Sequence, residues 1–365
     1  MPRPGRLCAL RTVLLAALAS ATLGAKSAIP DRLIPATRPA AKPGAGPRAP
    51  PAPPARSSPP EDGTTAWAPS PGDVEWVDVR QYGAVGDDVA DDTSAFRKAA
   101  ATGKKLFVAK PAVAYKLTGF VRIANSVYGD GSMPVIRMHG ADGDPDQGLA
   151  HTIFVIDGYT GPGLVLNGLR LDGQWNGVEE RGEWSHCLRI TSSRNVTVQN
   201  CVLERPYGDC IFIGHYEGSS PSFTPGDIVI QDNLLRGPRR CCVAVISGTR
   251  VTIRKNRIQK TSDYVAAIDL EPDPLGYQHV FDVTIDGNVF EVVPLRLGSG
   301  AVNLHNPLGN RGAQQSGNVS ITRNRGTWTP PASYLEVPGS DDGLVAIVPH
   351  LPWTRVTVSD NRRGP

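Results

Sequence analysis

One short phrase recurs through the second half of the chain and limits what it can fold into. Val196-Thr197-Val198, Ile228-Val229-Ile230, Val251-Thr252-Ile253, Val283-Thr284-Ile285, Val319-Ser320-Ile321 and Val356-Thr357-Val358 all alternate with period two. Three residues after each stands a small polar residue: Cys201, Asn233, Asn256, Asn288, Asn324 and Asn361. Successive intervals are 32, 23, 32, 36 and 37 residues. Strand-plus-turn units at such a period stack into a solenoid, with alternate residues in a shared core. A β-sandwich also has regular short strands, but its strands need not resemble one another. The repeated phrase therefore favours an all-β parallel β-helix, with the turn asparagines hydrogen-bonded along their own ladder.

Ahead of the repeats the chain changes character. Arg3, Arg6 and Arg11 precede the apolar run Val13-Leu14-Leu15-Ala16-Ala17-Leu18-Ala19, with small residues beyond it. That is the pattern of a signal peptide over residues 1–25. Residues 26–73 are rich in Pro and Ala and lack spaced large hydrophobes, which predicts a disordered, extended linker. Residues 74–365 are then expected to form the parallel β-helix catalytic domain. Export to the periplasm, the medium or the cell surface follows from this organisation. A net charge of +3, from 38 basic and 35 acidic residues, gives little pull on nucleic acid. No apolar run reaches the roughly 20 residues of a membrane span.

The segment Gly83-Ala84-Val85-Gly86-Asp87-Asp88-Val89-Ala90-Asp91-Asp92-Thr93-Ser94-Ala95 resembles the opening of the pectate-lyase-like superfamily. Lys104-Lys105-Leu106-Phe107-Val108 and Tyr128-Gly129-Asp130-Gly131 are similar to its early coils. The resemblance runs from about Val77 to Asn361. It implies a right-handed single-stranded parallel β-helix with an N-terminal capping helix. It also implies kinship with polygalacturonase-like glycosidases and polysaccharide lyases. Within the opening, Asp91 or Asp92 is expected to cap a helix through Ser94 to Ala101, where a carboxylate answers free N–H groups.

A second strand class lies between the repeats: Leu188-Arg189-Ile190, Ile211-Phe212-Ile213, Val243-Ala244-Val245, Ile268-Asp269-Leu270 and Val302-Asn303-Leu304. Coils stack about 4.8 Å apart, so equivalent residues form columns. With the apolar members inward, one outward column reads Arg189, Phe212, Ala244, Asp269 and Asn303. The next reads Gly214, Ile246, Glu271 and His305. A slip of one residue would reverse every face.

Asp269-Leu270-Glu271-Pro272-Asp273 carries the most chemistry. Two acids at i and i+2 of a strand share a face, about 6–7 Å apart at Cα. Glycosidic hydrolysis needs one protonated carboxyl and a second as base or nucleophile, and neighbouring carboxylates raise one another's pKa. Asp269 and Glu271 are thus the expected catalytic pair, joined by Asp209. His215, Asp273, Asn303 and His305 are expected to bind substrate.

Tyr207-Gly208-Asp209-Cys210-Ile211 resembles the G-D-D-C-x-x-I stretch of polygalacturonase-like glycosidases, with Gly208 where one aspartate would stand. Gly214-His215-Tyr216 is similar to that family's G-H-G but lies too near Asp209, and neither N-T-D nor R-I-K has a counterpart. Arg189 and Arg240 suit an acidic sugar, since arginine binds carboxylates bidentately. Trp184, with Trp175, sits in a loop expected beside the same face, where it can stack on a sugar ring. Cys187, Cys210 and Cys242 take equivalent places on three coils, so one bridge, Cys187–Cys210 or Cys210–Cys242, is expected in an exported protein.

Three functions fit these residues. An exported glycoside hydrolase acting on a polysaccharide is the leading one. A lyase or epimerase of uronate-containing glycans would use a histidine or arginine and a calcium ion; the hydrolase needs no cofactor. A non-catalytic glycan-binding solenoid is the third. The partner in each is a polysaccharide, acidic in the lyase and epimerase cases, and the assembly a monomer or homotrimer.

Overall fold

In the computed structural model the described residues are 68–69, 74–140, 151–178, 181–215, 224–272, 278–295, 300–305, 316–330, 335–336, 343–348 and 353–364. The expected signal peptide and nearly all of the linker lie outside them. The described chain coils through three sheets of ten, nine and nine strands, in which non-consecutive strands are neighbours. Every pairing is parallel except that of Leu335–Glu336 with Val345–Val348, at one edge of the third sheet. Sheet 1 contains the repeated Val-x-Ile strands, in register at Val196, Ile228, Val251, Val283, Val319 and Val356. Sheet 2 contains the short strands after the asparagine turn, such as Val202–Glu204 and Leu234–Arg236. Sheet 3 contains the second strand class.

Between sheets 1 and 2 the ladder forms as the repeat implies. Asn233, Asn256, Asn288 and Asn324 each send Nδ2 to the Oδ1 of the next rung at 2.9–3.0 Å. Their backbone N–H groups donate to the same oxygens at 2.9–3.0 Å. The second Nδ2 proton answers a strand carbonyl, as Asn288 does with Ile253 at 2.9 Å. Buried amides are thereby satisfied without water. The turn is tight enough that the residue before each rung is left-handed: Asp232, Lys255, Arg323 and Asp360 have φ of 53–59°.

Inside, alternate residues from all three sheets make one continuous core. At its N-terminal end helix α1 (Thr93–Ala100) buries Phe96 against the rings of Tyr115 and Phe154. Of the two expected capping acids, Asp91 answers a free helical N–H and Asp92 does other work. Asp92 occupies the N-cap position but makes no capping bond. Its carboxylate instead accepts the N–H groups of Val85, Gly86 and Lys116, pinning the Gly83–Gly86 loop to the first coils. Asp91 accepts from the N–H and hydroxyl of Thr93 and from the Thr118 hydroxyl.

The cysteines correct an expectation. Cys187, Cys210 and Cys242 do stack, but they and Cys201 and Cys241 are all free buried thiols. Parallel side chains on neighbouring coils point the same way instead of turning toward one another, as a disulfide requires. Each Sγ meets a carbonyl oxygen across the core: Leu171 for Cys187, Leu203 for Cys210 and Leu235 for Cys242. Among the described residues no helix is long and apolar enough to cross a membrane.

Candidate active site on the third sheet

Five strands build the site: β1 (Leu188–Thr191), β2 (Ile211–Gly214), β3 (Val243–Val245), β4 (Ile268–Leu270) and β5 (Val302–His305). Pairing places Arg189, Phe212, Ala244, Asp269 and Asn303 in one column, as the phase of the sequence predicts. Leu188, Ile190, Ile268 and Leu270 lie in the core. The column is not a wet face, however. Asp269 is 4% exposed and Asn303 6%. Burying a carboxyl is costly unless it is neutral or paired.

Both solutions occur here. Glu271 follows β4, its N–H held by the Val245 carbonyl at 3.0 Å. Its Oε1 lies 2.7 Å from Nδ1 of His305, one coil on. Burial pushes the Glu271 pKa up, but the hydrogen bond and charge of His305, with Arg240, outweigh this and hold it below the ordinary glutamate value. Asp269 goes the other way. Burial, then the charge of Glu271, raises it well above the usual aspartate range. The two neighbouring carboxyls are thus driven in opposite directions, Asp269 toward holding a proton and Glu271 toward losing one. Asp269 Oδ1 and Asn303 Oδ1 are buried on adjacent strands with no hydrogen-bond partner among the described residues.

Asp209 stands just before β2. Its Oδ1 accepts the Cys241 N–H at 2.8 Å and lies 3.7 Å from Arg240 Nε. Its Oδ2 lies 3.3 Å from His186 Nδ1, and its own N–H donates to that nitrogen at 3.1 Å. Burial, opposed by Asp209, lowers the His186 pKa, so the ring is neutral. An Nδ1 that accepts an N–H leaves the ring proton on Nε2. His186 was missed in the sequence, although a signal existed: it precedes Cys187 as Asp209 precedes Cys210 and Cys241 precedes Cys242. It also explains Gly208. A Cβ there would lie 2.5 Å from the Glu183 carbonyl and 2.8 Å from His186 Nδ1, so the second aspartate of the glycosidase-like motif has no room.

The remaining predicted residues divide. Phe212 is a hub: His186 stacks on it at 4.9 Å, Trp184 meets it edge-on at 6.3 Å, and Arg189 lies over its ring at 5.4 Å. Trp184 keeps 40% of its surface exposed. Arg240 pairs with Glu183 as well as facing Asp209, so its charge is shared between two acids. His215, at the end of β2, has His279 as its charged neighbour, and burial ahead of that neighbour lowers its pKa. Arg239 donates to the Tyr207 carbonyl and lies over Tyr264. Trp175 is parted from Trp184 and lines the outer face of sheet 2. Asp273 lies outside the described residues. Among those residues no group of three or more His, Cys, Asp or Glu side chains is arranged to hold a metal ion.

No family model matches the chain. No curated protein matches it either. Solved structures do. The Agl-KA catalytic domain superposes with a TM-score of 0.53 at 14% identity, over 82% of this chain and 57% of that one. The pre-mature gene product 12 of bacteriophage phi29 gives 0.53 at 18% identity, over 68% of this chain and 32% of that one. The chain thus spans little more than half of one and a third of the other. With the three stacked sheets, these matches define the fold as a right-handed parallel β-helix.

Proposed function

We propose that this chain is an exported glycoside hydrolase that cleaves a polysaccharide on the outer side of sheet 3. The observation that carries the reading is the split pair: a buried Asp269 whose pKa burial and Glu271 raise, next to a Glu271 that His305 contacts at 2.7 Å and whose pKa it lowers. A glycosidase needs a carboxylic acid at neutral pH to protonate the leaving oxygen. Asp269 is that acid. Glu271, two residues on, raises the Asp269 pKa through its charge. The two therefore act as one proton-holding unit, and Asp209 is the second carboxylate, with water or the anomeric carbon between. Asn303, Arg189, Arg240 and Trp184 are the residues proposed to hold the sugar, with His215 and His305 at the margin. Asp273 is carried forward as a substrate contact on its sequence position alone.

A uronate lyase or epimerase is the second reading, favoured by Arg240 beside Asp209, a cation placed where a sugar carboxylate would be neutralised. The test is incubation of the purified protein with acidic and neutral polysaccharides. New reducing ends without ultraviolet absorbance support hydrolysis. Unsaturated, absorbing products identify a lyase, and inverted uronates an epimerase. Tight binding without any turnover identifies a glycan-binding solenoid.

A further inference from the structure

A concave surface, about 920 Å³, lies on the outer face of sheet 2, lined by none of the carboxylate-site residues. Strand register puts Asp172, Glu204, Arg236, Gln259 and Glu291 in a single column, one per coil. Asp172 and Glu204 have side chains 0% and 1% exposed. Each is shared by two arginines. Asp172 Oδ2 takes Arg205 Nη2 at 2.5 Å and Arg137 Nε at 3.2 Å. Glu204 takes Arg170 Nε at 2.5 Å and Arg236 Nε at 2.6 Å.

The arithmetic leaves cationic surface over. Arg170, Arg205 and Arg236 line the groove with 37%, 48% and 40% of their side chains exposed. Glu291, the remaining acid of the lining, is already bonded by Arg257 and Gln259. A guanidinium has five N–H donors, and one or two bonds to a buried carboxylate leave the others directed outward. Trp175 forms part of the wall. The coil spacing of about 4.8 Å is close to the advance of one ring in an extended pyranose chain. We propose that this groove binds a stretch of acidic polysaccharide, its carboxylates on Arg170, Arg205 and Arg236 and a sugar face against Trp175. The preference for an anion stands on the groove alone; that the anion is borne by a glycan rests on the reading of sheet 3. The groove would hold a polymer while the carboxylate site works on another part of it.

The test is equilibrium binding of oligogalacturonate, and of the same oligosaccharide with its carboxyls reduced, to the full chain carrying Asp269→Asn. Binding is expected for the acidic form and to weaken as salt rises. Because Glu204 is buried, Arg170→Gln and Arg236→Gln are made singly, each leaving it one guanidinium. Trp175→Ala probes the same groove without touching either acid. Each is expected to weaken binding about tenfold and to leave turnover of a short glycoside unchanged. Equal binding of the reduced oligosaccharide, no binding of the acidic one, or unaltered affinity in all three variants overturns the proposal. Arginine-dependent binding in a protein that turns over no glycan would leave the groove standing and remove the hydrolase. Turnover with no such binding would do the reverse.

Discussion

His305 Nδ1 lies 2.7 Å from Glu271 Oε1, across the step from β4 to β5, and lowers the Glu271 pKa against the effect of burial. Asp269, buried beside it, is raised instead, first by burial and then by the charge of Glu271. Removing the imidazole should therefore move the Glu271 pKa upward. In His305→Ala the acid limb of the kcat/KM profile is expected to shift up by about one pH unit. A limb that does not move would separate His305 from the ionisation of this pair.

Asp269→Asn should lower kcat by about 10²- to 10⁴-fold, the usual worth of a general acid. A leaving group that needs no protonation should recover much of the loss. Turnover unaffected by the change would refute the assignment.

The same substitution has a consequence for stability. A carboxyl with a raised folded-state pKa favours folding below its unfolded pKa and loses that contribution as pH rises toward the folded value. Asparagine does not titrate. Relative to the unaltered protein, Asp269→Asn should gain stability from about pH 4 upward, at a slope of up to about 1.4 kcal/mol per pH unit. Denaturant midpoints measured from acid to neutral pH check the sign.

Burial raises the Cys187, Cys210 and Cys241 thiols well above their ordinary value and brings Cys201 to about 12. A thiol reagent should leave the native protein unmodified and label all of its cysteines after unfolding, without a reducing agent. Six cysteines occur in the sequence, one of them Cys8. A titre of five from protein collected outside the cell would therefore also report removal of the leader, and a titre of three a disulfide.

Asn288→Ala would strip partners from the Asn256 N–H, the Asn256 amide and the Ile253 carbonyl. At about 1–3 kcal/mol for each buried group, the loss should be roughly 3 kcal/mol or more. Chemical denaturation measures it directly.

The fold was legible because the core alternation and the turn asparagines repeat along one chain, so each coil repeats the signal of the last. The phase of sheet 3 followed from Ile268 and Leu270 for the same reason, and with it the adjacency of Asp269 to Asn303 and of Glu271 to His305. Stacking alone did not reveal direction. It placed three cysteines in a column without showing that their Sγ atoms point in parallel to carbonyls. It offered Asp91 or Asp92 a helix to cap without choosing between them; Asp91 bonds the first helical N–H, while Asp92 had a loop of free N–H groups nearer at hand. His186 escaped because its column lies at the corner before the strand, where period-two reasoning does not extend. Trp175 and Trp184 stand nine positions apart in the sequence, yet the fold sets the two side chains on different faces.

The asparagine column has a further consequence, because each rung from Asn233 to Asn324 donates its N–H and one Nδ2 proton to the next rung and turns the other Nδ2 proton back to a strand carbonyl of the preceding coil. Every rung therefore ties three coils together, so the ladder resists the parting of neighbouring coils anywhere along it. Cys201 begins the series by donating its N–H to Asn233 while offering no amide of its own. An aspartate at an interior rung would accept as asparagine does but supply no side-chain proton onward, breaking the ladder at a single atom while preserving its shape.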